Sequence, residues 1–270
     1  MVRRKQVSSG AKTPSLSNYA LPIFFALAAL LVCSMFAFID SVWYAGGLLF
    51  LTAVLWLFVS RLGKEKMGLC LGGLQEYLIA IIYPIAILAG VIVVMFAMGE
   101  PINSLSTDQV YLFFGMFIVF IVLNLFTTGI FFRGWLFGFM EEKKIGAKEI
   151  VIFTSFIYCI WHIPLFFFDP DYTVSANLMP VFLAGVLLDG MVWGLLRLKS
   201  DSIGPGAVGH ALWDAVTFGI FGFGIHPMLI AIPQVEVFGL QRGSVSVALR
   251  LLFVAVLWYW LFIKQGSKKK

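Results

Sequence analysis

Long apolar runs recur along the whole chain, and they limit its fold more than any other feature of the sequence. Each has roughly the 17 to 25 residues that a helix needs to cross about 30 Å of hydrocarbon, and none shows the alternating pattern of about ten residues typical of a membrane β-barrel strand. The chain is 61% hydrophobic and 12% charged, whereas soluble domains carry about 25% charged residues. We therefore predict an all-α, polytopic membrane helix bundle of about eight transmembrane helices: Tyr19–Ile39, Tyr44–Ser60, Leu78–Met98, Tyr111–Phe137, Ile150–Phe168, Leu178–Leu198, Ile203–Phe223 and Val245–Ile263.

Lysine and arginine residues predict the orientation of this bundle, because cytoplasmic loops hold an excess of them. They cluster in the N-terminal tail 1–18, in the connections after the second, fourth and sixth runs, and in the C-terminal tail 264–270. Arg242 and Arg250, near the last outer loop, are the exceptions. The sequence thus predicts a multi-pass bundle over residues 19–263, surrounded by the lipid bilayer of the cell membrane and with both termini cytoplasmic.

Neither the charge nor the cysteine pattern indicates a nucleic-acid partner or a cofactor. The formal net charge is +5, but the basic residues lie at the ends of apolar runs and do not alternate with aromatic residues on a polar face. The three cysteines lack metal-ligand spacing. We expect no nucleic acid, no cofactor and no disulfide. The connection Leu69–Tyr77 fits either a short interfacial helix or a plain loop.

A few ionisable residues lie inside the apolar runs, beginning with Arg133 in the stretch LFTTGIFFRGWLF. A charge there costs at least ~2.5 kcal/mol, so it normally faces a bundle interior, finds a partner and marks function. The later runs offer His162, Asp189, His210 and Asp214. His210 and Asp214 share a helix face because they are four residues apart, and His162 lies at a similar depth. Such a convergence could bind a metal, orient a water or stabilise an oxyanion. It could also only hold the helices together by hydrogen bonds, but the convergence favours a functional pocket.

Three motifs in this part of the chain resemble those of the CPBP family of membrane proteins, which includes the type II CAAX prenyl endopeptidases and the bacteriocin-processing, Abi-like proteins. FFRGWLF, with Arg133, resembles the end of the family's EExxxRG motif. YCIWHIP, with His162, resembles its FxxxH motif, and HALWD, from His210 to Asp214, resembles its HxxxN/D motif. The resemblance implies a CAAX prenyl protease-like bundle with its core at about residues 111–223.

The resemblance also implies a mechanism, of which this chain lacks one part. In the family, a glutamate pair activates the water that attacks the scissile carbonyl without a metal ion, and the arginine orients the glutamates. Two histidines and an Asn or Asp assist and stabilise the oxyanion. The candidate catalytic residues that match are His162, His210, Asp214 and Arg133. Thr128 and Gly129 occupy the glutamate positions, so the general base is absent, and Tyr158 replaces the usual phenylalanine.

Without the glutamates, Arg133 needs another counter-charge. Asp189 is a candidate because its depth in the membrane, counted in residues from the inner end of its span, differs from that of Arg133 by only ~7 to 8 Å. A long side chain could cover this distance. We hypothesise an ion pair of Arg133 with Asp189 or with Asp214.

Two functions fit these residues. The first is an intramembrane endopeptidase that cuts near the C-terminus of a lipidated or membrane-bound peptide. The second is a non-catalytic family member that uses the same pocket to bind a peptide, a lipid or a partner protein. Loss of a general base alone typically removes about 10² to 10⁴ in rate, so the sequence favours the second function or a weakly active enzyme.

Overall fold

The computed structural model describes residues 17–39, 44–100, 107–168, 176–220 and 235–264. Every regular element in these ranges is a helix, as the apolar runs predict. Residues 1–16 and 265–270, which make up most of the two predicted tails, lie outside the described residues. The helices are α1 (Ser17–Ile39), α2 (Gly46–Phe58), α3 (Leu74–Ala97), α4 (Thr107–Asn124), α5 (Phe137–Glu142), α6 (Ala147–Trp161), α7 (Leu165–Phe168), α8 (Met179–Ser200), α9 (Gly204–Asp214), α10 (Val235–Phe238) and α11 (Ser244–Trp258).

Several of these helices are long and apolar enough to cross a membrane, which confirms the prediction of a multi-pass helical membrane protein. The two other predicted spans are not among them. The second corresponds to α2, which has only 13 residues, and the seventh corresponds to α9, whose π-helical continuation reaches Ile220, where the described residues stop. The count of eight therefore stays a prediction. The six long segments are Asn18–Ala37, Leu74–Ala97, Val110–Glu142, Ala147–Phe167, Met179–Ser200 and Ser244–Lys264.

Helix α8 lies at the centre of the bundle, packed against α6, α9 and α11. Its sequence carries two glycines four residues apart, Gly190 and Gly194. A Cβ atom at Gly190 would lie 3.1 Å from the Cα of Ser155, and one at Gly194 would lie 3.2 Å from a methyl carbon of Val151. Small residues at this spacing let membrane helices approach closely, so the glycine pair sets α8 directly against α6.

Helix α4 continues without a break into α5 through a π-helical stretch, Leu125–Leu136. In a π-helix each N–H bonds to the carbonyl five residues earlier, an arrangement that is rare and often occurs at functional sites. Nine of the 12 residues of this stretch are buried, Arg133 among them. The sequence predicts a span here, but its apolar composition carries no signal for the change of helix type.

The connection between α2 and α3, residues 59–73, is fastened to the helix that carries Arg133. Arg197, which is 1% exposed, donates from Nε to the carbonyl of Arg133 (2.9 Å) and from Nη2 to the carbonyl of Lys66 (2.8 Å). Gly68 adopts a positive φ of 67°, and a Cβ there would lie 2.6 Å from the Nε of Arg197. Of the two interpretations of Leu69–Tyr77, the loop applies up to Gly73, and α3 begins at Leu74.

Candidate functional site

His210, on α9, is the centre of a buried cluster of polar side chains. Its Nε2 lies 3.0 Å from the hydroxyl of Tyr158 on α6. Its Nδ1 lies 3.4 Å from the hydroxyl of Thr128 in the π-helical stretch. Trp193 of α8 stacks on the imidazole, with ring centroids 5.9 Å apart. Side chains from three membrane helices therefore fix the position of this ring.

Asp214 lies one helical turn beyond His210 on the same face of α9, as their spacing implies. Its Oδ2 is 3.5 Å from the Nε2 of His210 and accepts a hydrogen bond from the side-chain amide of Asn124 at 2.7 Å. Asn124 is the last residue of α4. The carboxylate thus joins α9 to the end of α4, and its polar contacts are supplied from within the bundle.

His162 joins the cluster through Tyr158. It follows directly after α6, in a turn, and its Nδ1 hydrogen-bonds to the carbonyl of Tyr158 at 2.8 Å. The two rings meet edge to face with centroids 4.6 Å apart. Because Nδ1 donates to a carbonyl, the Nε2 of a neutral His162 is an acceptor. Tyr158 therefore lies between the two histidines, and the metal set of His162, His210 and Asp214 is not assembled in the described residues.

Arg133 lies over the aromatic ring of Tyr158, with its guanidinium carbon 4.2 Å from the ring centroid. It is 5% exposed. No ion pair joins it to Asp189 or to Asp214, although the structure describes all three residues. Its Nη2 is buried and has no hydrogen-bond partner among the described residues. Neither aspartate thus forms the hypothesised direct ion pair with Arg133 among the described residues.

Asp189 instead pairs with Arg250. The Nη1 of Arg250 lies 3.2 Å from the Oδ2 of Asp189, and the hydroxyl of Tyr83 donates to the other carboxylate oxygen. Arg250 also donates to the carbonyl of Leu240 and lies over the ring of Trp213 at 4.3 Å. Counting residues along a span gives depth but not the helix face, which is why the sequence suggested the wrong arginine. Arg250 lies within the last predicted span, near its outer end, and in the structure it is a fully buried residue of α11.

Thr128 and Gly129, the two positions at which the motif resemblance predicts glutamates, carry no carboxylate. Thr128 faces His210 through its hydroxyl. Gly129 has no space for a side chain, since a Cβ atom would lie 2.6 Å from the carbonyl oxygen of Asn124. That contact is to backbone, so a larger residue requires the π-helical stretch to shift.

Asn124 and Tyr158 are the cluster residues that sequence reasoning missed. Asn124 is a polar side chain in an apolar run, the same signal that singled out Arg133, so it could have been found. Tyr158 stands in a motif position that normally holds phenylalanine, and its hydroxyl is the group that binds His210. The hydroxyl by which Tyr158 differs from phenylalanine therefore supplies a central contact of the cluster.

These features define a polytopic membrane protein with a buried polar cluster where α4, α6 and α9 meet. Residues 110–216 match the family model described as Type II CAAX prenyl endopeptidase Rce1-like. The matched segment includes every residue of the cluster from Asn124 to Asp214, and this part of the chain is therefore of the Rce1-like family, as its motifs predict. No curated protein and no solved structure matches the chain.

Proposed function

We propose that this chain is a non-hydrolysing member of its family that keeps the polar cluster as a binding site for a membrane-bound or lipidated peptide. The observation that carries the proposal is the absence of a carboxylate at Thr128 and Gly129, next to an otherwise retained set of His162, His210 and Arg133. A general base must lie within hydrogen-bond reach of the water that it activates. Among the described residues, no glutamate lies in the cluster to do so.

The two aspartates nearest the cluster are poor substitutes for that base. Asp189 is paired with Arg250 and accepts the hydroxyl of Tyr83. Asp214 accepts the amide of Asn124 and lies beside His210. Each carboxylate already accepts hydrogen bonds from side chains of the protein itself, so fewer of its lone pairs are left to hold and orient a water.

An endopeptidase remains the second candidate, and one contact favours it. The Thr128 hydroxyl lies 3.4 Å from the Nδ1 of His210, so a hydroxyl and an imidazole meet at the position where the family has its first glutamate. In that function His210 would be the base.

A cleavage assay separates the two functions. The purified chain in liposomes is given a prenylated peptide with a fluorophore and a quencher on either side of the expected cut. The unaltered chain is compared with Thr128→Glu, with the Thr128→Glu, Gly129→Glu double variant, and with His210→Ala. We expect no cleavage by the unaltered chain, and weak or no gain in the double variant because Gly129 cannot hold a side chain without a backbone shift. Cleavage by the unaltered chain that disappears in His210→Ala would overturn the proposal.

We also propose that both termini are cytoplasmic and that the bundle over residues 19–263 lies in the cell membrane, since the lysines and arginines follow that pattern. The chain offers its own probe of orientation. Cys70, in the connection 59–73, is exposed, whereas Cys33 and Cys159 are buried. A membrane-impermeant maleimide should label Cys70 in inside-out vesicles but not in intact cells, and Cys70→Ser provides the control. Labelling in intact cells would reverse the orientation.

A further inference from the structure

Three arginines are buried in the described part of the chain, and they differ in how their charge is balanced. Arg197 has Asp201 at 3.7 Å, and Arg250 has Asp189 at 3.2 Å. Arg133 has no carboxylate within ion-pair distance among the described residues, although it is 5% exposed. A buried charge without a partner is strongly unfavourable. Arg133 is therefore the cation at which an anion from outside the chain would gain most.

The cluster also contains hydrogen-bond donors without acceptors. Among the described residues, the Nη2 of Arg133 has no acceptor, and neither has the indole Nε1 of Trp193, the residue that stacks on His210. The one carboxylate of the cluster, on Asp214, is already bound by Asn124. A ligand that completes this cluster must bring acceptors, and a carboxylate brings two oxygens and no donor.

We infer that Arg133 binds the carboxylate of a ligand within the cluster, either the C-terminal carboxylate of a peptide or a small free carboxylate. This inference deepens the proposed function and rests on it. The planar guanidinium presents its donors as a fork that matches a carboxylate, which makes arginine well suited to recognise this group. The ring of Tyr158 holds the guanidinium from one face at 4.2 Å, and Nη2, which has no acceptor among the described residues, is left for the ligand. A peptide bound in this way would be held by its chain end rather than at an internal peptide bond.

Thermal unfolding of the purified full-length chain in detergent tests this site, because a ligand that binds only the folded protein raises the melting temperature with concentration. The probes are sodium acetate, a short hydrophobic peptide with a free C-terminus, and the same peptide with a C-terminal amide. The variants are the unaltered chain, Arg133→Gln, and Arg61→Gln as a matched control that removes one exposed positive charge.

We expect the free-acid peptide to raise the melting temperature of the unaltered chain and of Arg61→Gln by several degrees. The concentration of free-acid peptide needed for this rise should be at least tenfold lower than the concentration of the amide needed for the same rise. Arg133→Gln should lose this difference. A response to acetate as well would identify the carboxylate alone as the ligand; a response to the peptide acid only would identify the peptide terminus.

Equal responses of the acid and the amide, or a response that survives in Arg133→Gln, would overturn the inference and leave ordered water as the partner of Arg133. The readout is independent of hydrolysis. If the chain cleaves peptides, the proposed function fails while the comparison of acid and amide still decides the carboxylate site.

Discussion

Replacing Asp189 by asparagine removes the buried counter-charge of Arg250 while keeping the shape of the side chain. Arg250 would retain the carbonyl of Leu240 and the ring of Trp213, and the new amide oxygen could still accept the hydroxyl of Tyr83. Removing one partner of a buried ion pair costs about 3 to 5 kcal/mol, because the other charge stays buried and unbalanced. With these neutral partners retained, we expect a loss near the lower end, about 3 kcal/mol of unfolding free energy.

A double-mutant cycle in detergent micelles, followed by tryptophan fluorescence during denaturant unfolding, measures this pair directly. Asp189→Asn combined with Arg250→Met should cost about 2 kcal/mol less than the sum of the single variants, since the two residues are in contact. Asp189→Asn combined with Arg133→Gln should be additive to within about 0.5 kcal/mol. Recovery by Arg133→Gln but not by Arg250→Met would refute the assignment and restore the pair that the sequence suggested.

Three further changes probe the site and its support. Gly129→Ala should destabilise the protein by about 1 to 3 kcal/mol, because the new Cβ clashes with backbone. Gly115→Ala is the control on the same continuous helix: nothing lies within 4 Å of its Cβ, so it should stabilise the protein by up to about 1 kcal/mol. Equal effects of the two changes in denaturant unfolding would contradict this geometry. Tyr158→Phe should cost about 1 kcal/mol by removing the hydrogen bond to His210, measured in the same way, and an unchanged stability would show that the contact is absent. Arg197→Lys should speed proteolysis of the connection 59–73, because an ammonium cannot bridge both carbonyls; unchanged cleavage would mean that this bridge does not hold the connection.

The sequence predicts the helices well because burial in lipid demands continuous apolar runs with internal hydrogen bonds. It predicts their ends and number less well. Helix α2 is Gly46–Phe58 rather than Tyr44–Ser60, and the apolar composition of a run does not reveal how many of its residues are helical. The identity of the polar residues inside the runs could be read directly. Their partners could not, since partners depend on which face each helix turns to its neighbours.

Arg250 is an example of a residue whose buried partner the sequence did not reveal. In the sequence it is a basic residue that breaks the charge rule for outer loops, and in the structure it is fully buried against Asp189. Charge rules count residues near the ends of helices, and they misassign a cation that lies inside the bundle. A departure from the rule was thus a signal for a buried ion pair, and Tyr158 was a comparable signal within a motif.

The π-helical stretch Leu125–Leu136 makes the cluster depend on chain length as well as on residue identity. In an α-helix, residues five apart are rotated by about 140°, which would turn Thr128 and Arg133 to different sides. With hydrogen bonds to the fifth residue back, each turn holds more residues and this rotation is smaller; Thr128 contacts His210 and Arg133 contacts Tyr158, which are themselves hydrogen-bonded. Deleting one residue from this stretch would rewind it as an α-helix and rotate Arg133 by about 100° relative to α4. A relative that differs here by one inserted or deleted residue would therefore lose or gain the polar cluster in a single step, although every residue of the motif is still present in its sequence.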